Sequence, residues 1–295
     1  MGFLHKPPSL FLFIFSLCLL ISRLFFCAIA ATDTTTLVFK GCSQQKSQDP
    51  SGIFSQNLKS FFSSMISQSS QKPFSSTSSG DGGNAIQGLF QCRGDLTLPQ
   101  CSDCVSKIPA LVDKLCGQAV AARVQLAGCY LRYEVAGFRQ VSGTELLYKV
   151  CGSIQVAGTG FEERRNAAFE MVENGVKNGG ALFYTGSYRS LYALGQCQGD
   201  LGGGDCGDCL KTAAERANSE CGSSISGQIY LNKCYISYSY YPNGIPSISS
   251  SSGSGHNTQR TVALAVGGFA ALAFLVVCLL FVRSVLMKKR SKHGG

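Results

Sequence analysis

Two long apolar runs frame the chain, and between them the apolar positions fall at helical or alternating spacing. The first run extends from Leu10 through Ile21 and on, past Arg23, to Ala31, behind His5 and Lys6. Near its end stands Ala28-Ile29-Ala30, the small-x-small form of a signal-peptidase site, so residues 1–30 read as a cleaved secretory signal. The second run, TVALAVGGFAALAFLVVCLLFV from Thr261 to Val282, holds no charge in 22 residues. At 1.5 Å per residue that is about 33 Å of helix, enough for a hydrocarbon core of about 30 Å. Arg283, Lys288, Lys289, Arg290 and Lys292 follow at once, and cations stay on the cytoplasmic side. The pattern predicts a single-pass type I membrane protein with a transmembrane helix over 261–282 and a basic cytoplasmic tail over 283–295.

Inside that frame, Phe54, Leu58, Phe61, Phe62, Met65 and Ile66 recur at steps of three and four after Pro50-Ser51, which predicts an amphipathic helix. Phe161, Phe169, Val172 and Val176 mark a second such helix, ended by Gly179-Gly180. Val105, Ile108, Leu111, Val112 and Leu115 predict another, closing at Gly117. Pro109 is a poor residue inside it and is expected to kink it. The stretches Arg123 to Val135 and Gln228 to Tyr241 alternate bulky residues as half-buried strands do, and Thr144 to Val150 and Ala181 to Tyr192 also read as strands. Ser75 to Gly83 (SSTSSGDGG) reads as a surface loop, and Ser247 to His256 as a flexible stalk before the membrane.

Fifteen cysteines are too many for a typical cytosolic enzyme and point to an oxidising compartment. Cys18 and Cys27 belong to the signal and Cys278 to the membrane run. The other twelve begin with Cys42 and Cys151, each followed by five in the spacing C-x8-C-x2-C-x11-C-x12-C. Cys92, Cys101, Cys104, Cys116 and Cys129 all recur 105 residues later. Neighbours recur with them: Gln91/Gln196, Gly94-Asp95/Gly199-Asp200, Asp103/Asp208, Gly117/Gly222, Leu126/Leu231, Tyr130/Tyr235 and Tyr133/Tyr238. The exported part is a tandem duplication, with domains at 31–141 and 142–243 and a Ser/Gly-rich stalk over 244–260. Each copy reads as α+β, two helices packed on an antiparallel sheet. Cys101-Ser-Asp-Cys104 and Cys206-Gly-Asp-Cys209 could suggest zinc or thiol redox chemistry. No histidine lies between residues 6 and 255 to help ligate a metal, and a redox pair would be expected once rather than in both copies. Disulfides are the better reading, and six cysteines leave 15 connectivities open.

Charge then changes the picture less than it promises. Of the formal +9, Lys6 and Arg23 put +2 in the signal and five cations put +5 in the tail. Residues 32–260 carry 19 Lys+Arg against 17 Asp+Glu. No basic arm remains for nucleic acid, and no cofactor motif is present. The histidines are His5, His256 and His293, none in a folded copy, so Ser-His-Asp and Cys-His nucleophile pairs are unavailable. Glu134, Glu145, Glu162 and Glu163 remain, yet Glu134 becomes Ser239 in the repeat and Glu162-Glu163 simply acidify a helix start. The chain reads as a non-enzyme.

The doubled C-x8-C-x2-C frame, after a signal and before one membrane helix with a short tail, resembles the plasmodesmata-located protein family of plants. Each copy resembles the ginkbilobin-type antifungal domain, also found in cysteine-rich receptor-like kinases. The resemblance implies the bridges Cys42–Cys116, Cys92–Cys101, Cys104–Cys129, Cys151–Cys221, Cys197–Cys206 and Cys209–Cys234. It implies residence at plasmodesmata, with the ectodomain in the apoplast and a part in cell-to-cell movement linked to callose. In the mannose-binding relative an Asn, an Arg and a Glu hold the sugar. The matching stretch here keeps Arg123 and Glu134, but Ser43 stands at the Asn position. The second copy has Gly152, Gln228 and Ser239 at the three places. A plainer expectation is that Arg123 and Glu134 pair on a strand surface.

In the membrane run, Ala263, Gly267 and Ala271 form a small-xxx-small row that permits close helix approach and self-association. The basic tail would attract anionic lipid. Expected partners are the bilayer, a cell-wall polymer or other apoplastic ligand, and membrane proteins such as receptor-like kinases or callose-related proteins. Two other readings compete: a kinase-lacking receptor or co-receptor for an apoplastic ligand, and a membrane-tethered carbohydrate-binding antifungal protein.

Overall fold

The computed structural model describes residues 33–242, apart from 136, 137, 139, 140 and 157–159. The signal, the stalk, the membrane run with Ala263, Gly267 and Ala271, and the tail lie outside the described residues. Among the described residues no helix is long and apolar enough to cross a membrane.

The first copy runs β1 (Leu37–Cys42), α1 (Ile53–Ser69), β2 (Phe74–Ser79), β3 (Ile86–Cys92), α2 (Leu98–Cys116), β4 (Ala121–Leu126) and β5 (Cys129–Val135). The second repeats that order as β6 (Leu146–Cys151), α3 (Phe161–Gly179), β7 (Phe183–Tyr188), β8 (Leu191–Cys197), α4 (Gly203–Cys221), β9 (Ser226–Leu231) and β10 (Cys234–Tyr240). Each copy forms a five-stranded antiparallel sheet, in the orders β1-β4-β5-β3-β2 and β6-β9-β10-β8-β7.

Helix starts follow from local chemistry. Asp49 accepts the N–H groups of Phe54 at 3.0 Å and Ser55 at 2.8 Å, satisfying donors that the first turn of α1 leaves open. Gly52, just before the helix, sits at φ +71°, a conformation that favours glycine. Helix α1 therefore begins at Ile53 rather than at Pro50-Ser51. At α2, the Thr97 N–H donates to the Gln100 side chain at 2.9 Å, and Pro99 takes a first-turn position. Pro109 lies inside α2, and the helix continues past it to Cys116. Gly117 and Gly222 end α2 and α4 at positive φ.

Helix α2 carries Cys101, Cys104 and Cys116, and α4 carries Cys206, Cys209 and Cys221. A C-x2-C pair on a helix puts both sulfurs on one face, one turn apart. Cys101 is bonded to Cys92 of β3, Cys104 to Cys129 of β5 and Cys116 to Cys42 of β1. In the second copy Cys206 joins Cys197 of β8, Cys209 joins Cys234 of β10, and Cys221 joins Cys151 of β6. One helix is thus fastened to three separate strands. Val105, Ile108 and Val112 on the same face of α2 pack with Phe61 and Met65 of α1 against Phe90, Val124, Leu131 and Tyr133 of the sheet.

Several segments differ from their sequence reading. Arg123–Val135, Gln228–Tyr241 and Ala181–Tyr192 are not single strands; each spans or enters a hairpin, β4-β5, β9-β10 and β7-β8. The β7-β8 turn is made by Arg189 (φ 45°) and Ser190 (φ 66°). Both occupy the left-handed region that two-residue hairpins need, without the Asn-Gly signature. Ser75–Ser79, expected in a loop, lies in edge strand β2, paired to β3, and a short 3-10 turn follows at Gly82–Asn84. Hydroxyl side chains hid the strand, because a polar outer edge lacks alternation.

Candidate functional site

Each sheet has one face toward its helices and one away from them, because successive side chains alternate. In the first copy the outward set includes Gln91 of β3, Arg123 and Gln125 of β4, and Tyr130, Arg132 and Glu134 of β5. Gln91, Arg123, Tyr130 and Arg132 reach the second copy through hydrogen bonds. The Gly199 N–H donates to Gln91 Oε1 at 2.8 Å, and the Gly94 N–H donates to Gln196 Oε1 at 3.3 Å. Since Gln91/Gln196 and Gly94/Gly199 are the same positions of the repeat, the exchange is reciprocal about a pseudo-two-fold axis. Sterics repeat the symmetry: a Cβ on Gly94 would lie 2.4 Å from the Phe183 ring, and one on Gly199 would lie 2.4 Å from Phe74. At the other edge Phe39 of β1 stacks on Tyr148 of β6, centroids 5.0 Å apart, and meets Tyr230 edge-on at 5.3 Å.

Arg123 lies within this contact. Its Nη1 donates to the Asn232 carbonyl at 3.1 Å, and its guanidinium stands 4.1 Å from the Tyr130 ring centroid. Arg132, its cross-strand neighbour, donates to Asn232 Oδ1 at 3.1 Å. Burial pulls the Arg123 pKa down to about 10, with Tyr130 acting against that shift. Tyr130, whose own pKa burial raises, donates to Gln198 of the second copy at 2.9 Å. The cavity lined by Arg123, Gln125, Tyr130, Gln196 and Tyr235 has about 20 Å³ of space, room for about one water molecule. A sugar does not fit there.

Glu134 stands opposite Ala121, two register positions from the Arg123/Arg132 pair and therefore on the same face. The described ion pairs do not include one between Arg123 and Glu134. The structure thus places both candidate residues on one face but commits the Arg123 head to Asn232 and Tyr130. The residues that build the contact were visible as repeated neighbours of the cysteines: Gln91/Gln196, Gly94/Gly199 and Tyr130/Tyr235. Their recurrence signalled a shared role, but nothing local said that the role was to meet each other. No cluster of His, Cys, Asp or Glu among the described residues is placed to hold a metal ion.

The salt stress response/antifungal family model matches residues 41–136 and 150–241, one match per copy. The chain is 55% identical over 287 residues to plasmodesmata-located protein 1 of Arabidopsis thaliana, covering 92% of this chain and 95% of that protein. It is 51% identical over 281 residues to plasmodesmata-located protein 2 of the same plant, covering 90% and 91%. Among solved structures, the tandem DUF26 ectodomain of the Arabidopsis thaliana cysteine-rich receptor-like protein PDLP8 superposes with a TM-score of 0.65 at 31% identity. That match covers 70% of this chain and 98% of the other. Two copies of one fold, the same cysteine frame and similarity along nearly the whole length lead to one assignment: the chain belongs to the plasmodesmata-located protein family.

Proposed function

We propose that this is a non-enzymatic type I membrane protein of plasmodesmata, whose apoplastic ectodomain binds and scaffolds while the membrane helix carries targeting and association. The observation that carries the reading is similarity over 92% of the chain to a protein named for that location. Supporting it are the signal-like run over 1–30 and the uncharged 22 residues followed by five cations. Binding suits the ectodomain better than catalysis: twelve cysteines lie in disulfides, and neither copy contains a histidine. An effect on callose and permeability then passes through partners that the ectodomain and membrane helix recruit. Since the Arg123 head is enclosed between the copies, recognition of a wall polymer uses another face.

A C-terminal fluorescent fusion imaged in leaf epidermis tests the reading. Puncta coinciding with callose-stained pits are expected. Even surface fluorescence that ignores those pits would remove the plasmodesmal assignment.

A further inference from the structure

The outward face of the second copy continues past the inter-copy contact onto β7, β8 and β10, where a groove of about 500 Å³ opens. Its floor is two cross-strand rows. Thr185, Leu194 and Ser237 are direct partners in one row; Ser187, Tyr192 and Ser239 are partners in the next. Hydroxyls therefore flank a central strip of Leu194 and Tyr192, one strand spacing (about 4.8 Å) away on either side. Tyr241 meets Tyr192 edge-on at 5.9 Å and walls one end. Tyr192 is 39% exposed, so its ring is available to a ligand. The inward neighbours Ala193 and Tyr238 are buried in the core and fix which way this strip points.

Among the described residues, no Asp, Glu, Lys, Arg or His lines this groove. The same six positions of the first copy are different: Ser76, Leu89 and Arg132 form one row, and Ser78, Gln87 and Glu134 the other. Two charges there replace two serines, and glutamine replaces the tyrosine. An ionised ligand entering the second-copy groove would lose hydration with no opposite charge to receive it. A neutral sugar has no charge to desolvate, and its hydroxyls regain hydrogen bonds from the groove. Its C–H face lies on an aromatic ring, and its rim hydroxyls exchange hydrogen bonds with serine and threonine on both sides.

We infer that the β7-β8-β10 face of the second copy is a binding site for an uncharged wall polysaccharide, with Tyr192 as the platform and Ser187, Ser237 and Ser239 as orienting groups. This site rests on the apoplastic binding role proposed above and uses none of the residues of the Arg123–Glu134 pair. Titration of the detergent-solubilised full chain with hexasaccharides tests it, using β-1,3-linked glucose, β-1,4-linked glucose and galacturonic acid as probes. At least one neutral probe is expected to bind and the acidic one to fail. Tyr192→Ala and Ser239→Glu should each weaken binding about tenfold, while Tyr192→Phe keeps it. Intact disulfides and an unchanged melting temperature would show that the variants fold. Failure of both neutral probes at millimolar concentration, or equal binding by wild type and both weakening variants, overturns the site. Absent binding with punctate fluorescence would leave the plasmodesmal reading standing; diffuse fluorescence with binding would do the reverse.

Discussion

In the first copy, Phe61 of α1 reaches toward Gly88 of β3, where an added Cβ would lie 2.2 Å from the ring. The corresponding positions of the second copy are Ala168 and Ala193, both buried. Space that the aromatic ring occupies in one copy is shared differently in the other. Buried positions 54, 61, 65 and 69 of α1 recur 107 residues later as 161, 168, 172 and 176 of α3, so half-buried Leu58 corresponds to Arg165. Arg165 is only 1% exposed. Its guanidinium donates to the Gly222 carbonyl and lies 5.1 Å from the Phe161 ring centroid and 5.6 Å from that of Tyr238. The tyrosine is common to both cores: Tyr133 Oη donates to the Ala119 carbonyl at 2.9 Å, and Tyr238 Oη to Ser224 at 3.1 Å. Covalent staples and strand register hold the frame, so complementary volumes inside it can exchange.

The largest effect expected concerns what the copies share. Cys42→Ala with Cys116→Ala opens a loop of 74 residues and should cost about 4.5 kcal/mol; removing Cys92–Cys101, separated by nine, should cost about 2.5 kcal/mol. Removing Cys151–Cys221, separated by 70, should match the first value. Denaturant unfolding measures all three. A second-copy bridge worth about half its counterpart would end the equivalence of the two frames.

A smaller effect tests the difference between the cores. Phe61→Ala should destabilise by about 3 kcal/mol and Gly88→Ala by about 2 kcal/mol, the first through a cavity and the second through overpacking. Together they recreate the second copy's alanine pair, and the double variant should be at least about 1 kcal/mol more stable than the two losses added. Simple additivity would show that the exchange of volumes is not what lets the cores diverge.

The smallest effect is on alkaline pH. Burial raises the Tyr235 pKa and pushes that of Tyr230 up to about 12. A tyrosine held neutral in the fold contributes stability that is complete below the unfolded value near 10 and lost as pH rises toward 12. Tyr230→Gln installs the residue found at position 125 of the first copy. Melting curves between pH 9 and 11 should fall less steeply for this variant than for wild type; parallel curves would take Tyr230 out of the balance.

Much of the fold was legible because its signals are local. Helices α1, α2 and α3 show apolar residues at three- and four-residue steps, and Gly117 and Gly222 mark helix ends. The cysteine frame announced the duplication by repeating at 105, although spacing left the pairing open and only family resemblance supplied one. Hairpin turns were less legible: Arg189-Ser190 carries no glycine or asparagine, yet both residues turn at positive φ. Strand β2 was hidden because PheSerSerThrSerSer pairs through its backbone and packs little through its side chains. For the candidate site, residue type alone did not show where Arg123 is held. An arginine and a glutamate two places from opposition look like a sugar clamp in one copy, but the second copy supplies the Asn232 carbonyl that occupies Arg123.

Periodicity was sufficient for the helices, and repeated cysteine spacing for two copies of one disulfide-rich domain. Those properties depend on residues close in the chain or on their simple recurrence. The contact between the copies depends on Gln91 finding Gly199 and Arg123 finding Asn232, pairs 108 and 109 residues apart. The neutral face of the second copy likewise exists only because antiparallel register sets Ser187, Tyr192 and Ser239 side by side. Such juxtapositions come from folding and have no periodic trace, so the tertiary structure alone brings them into view.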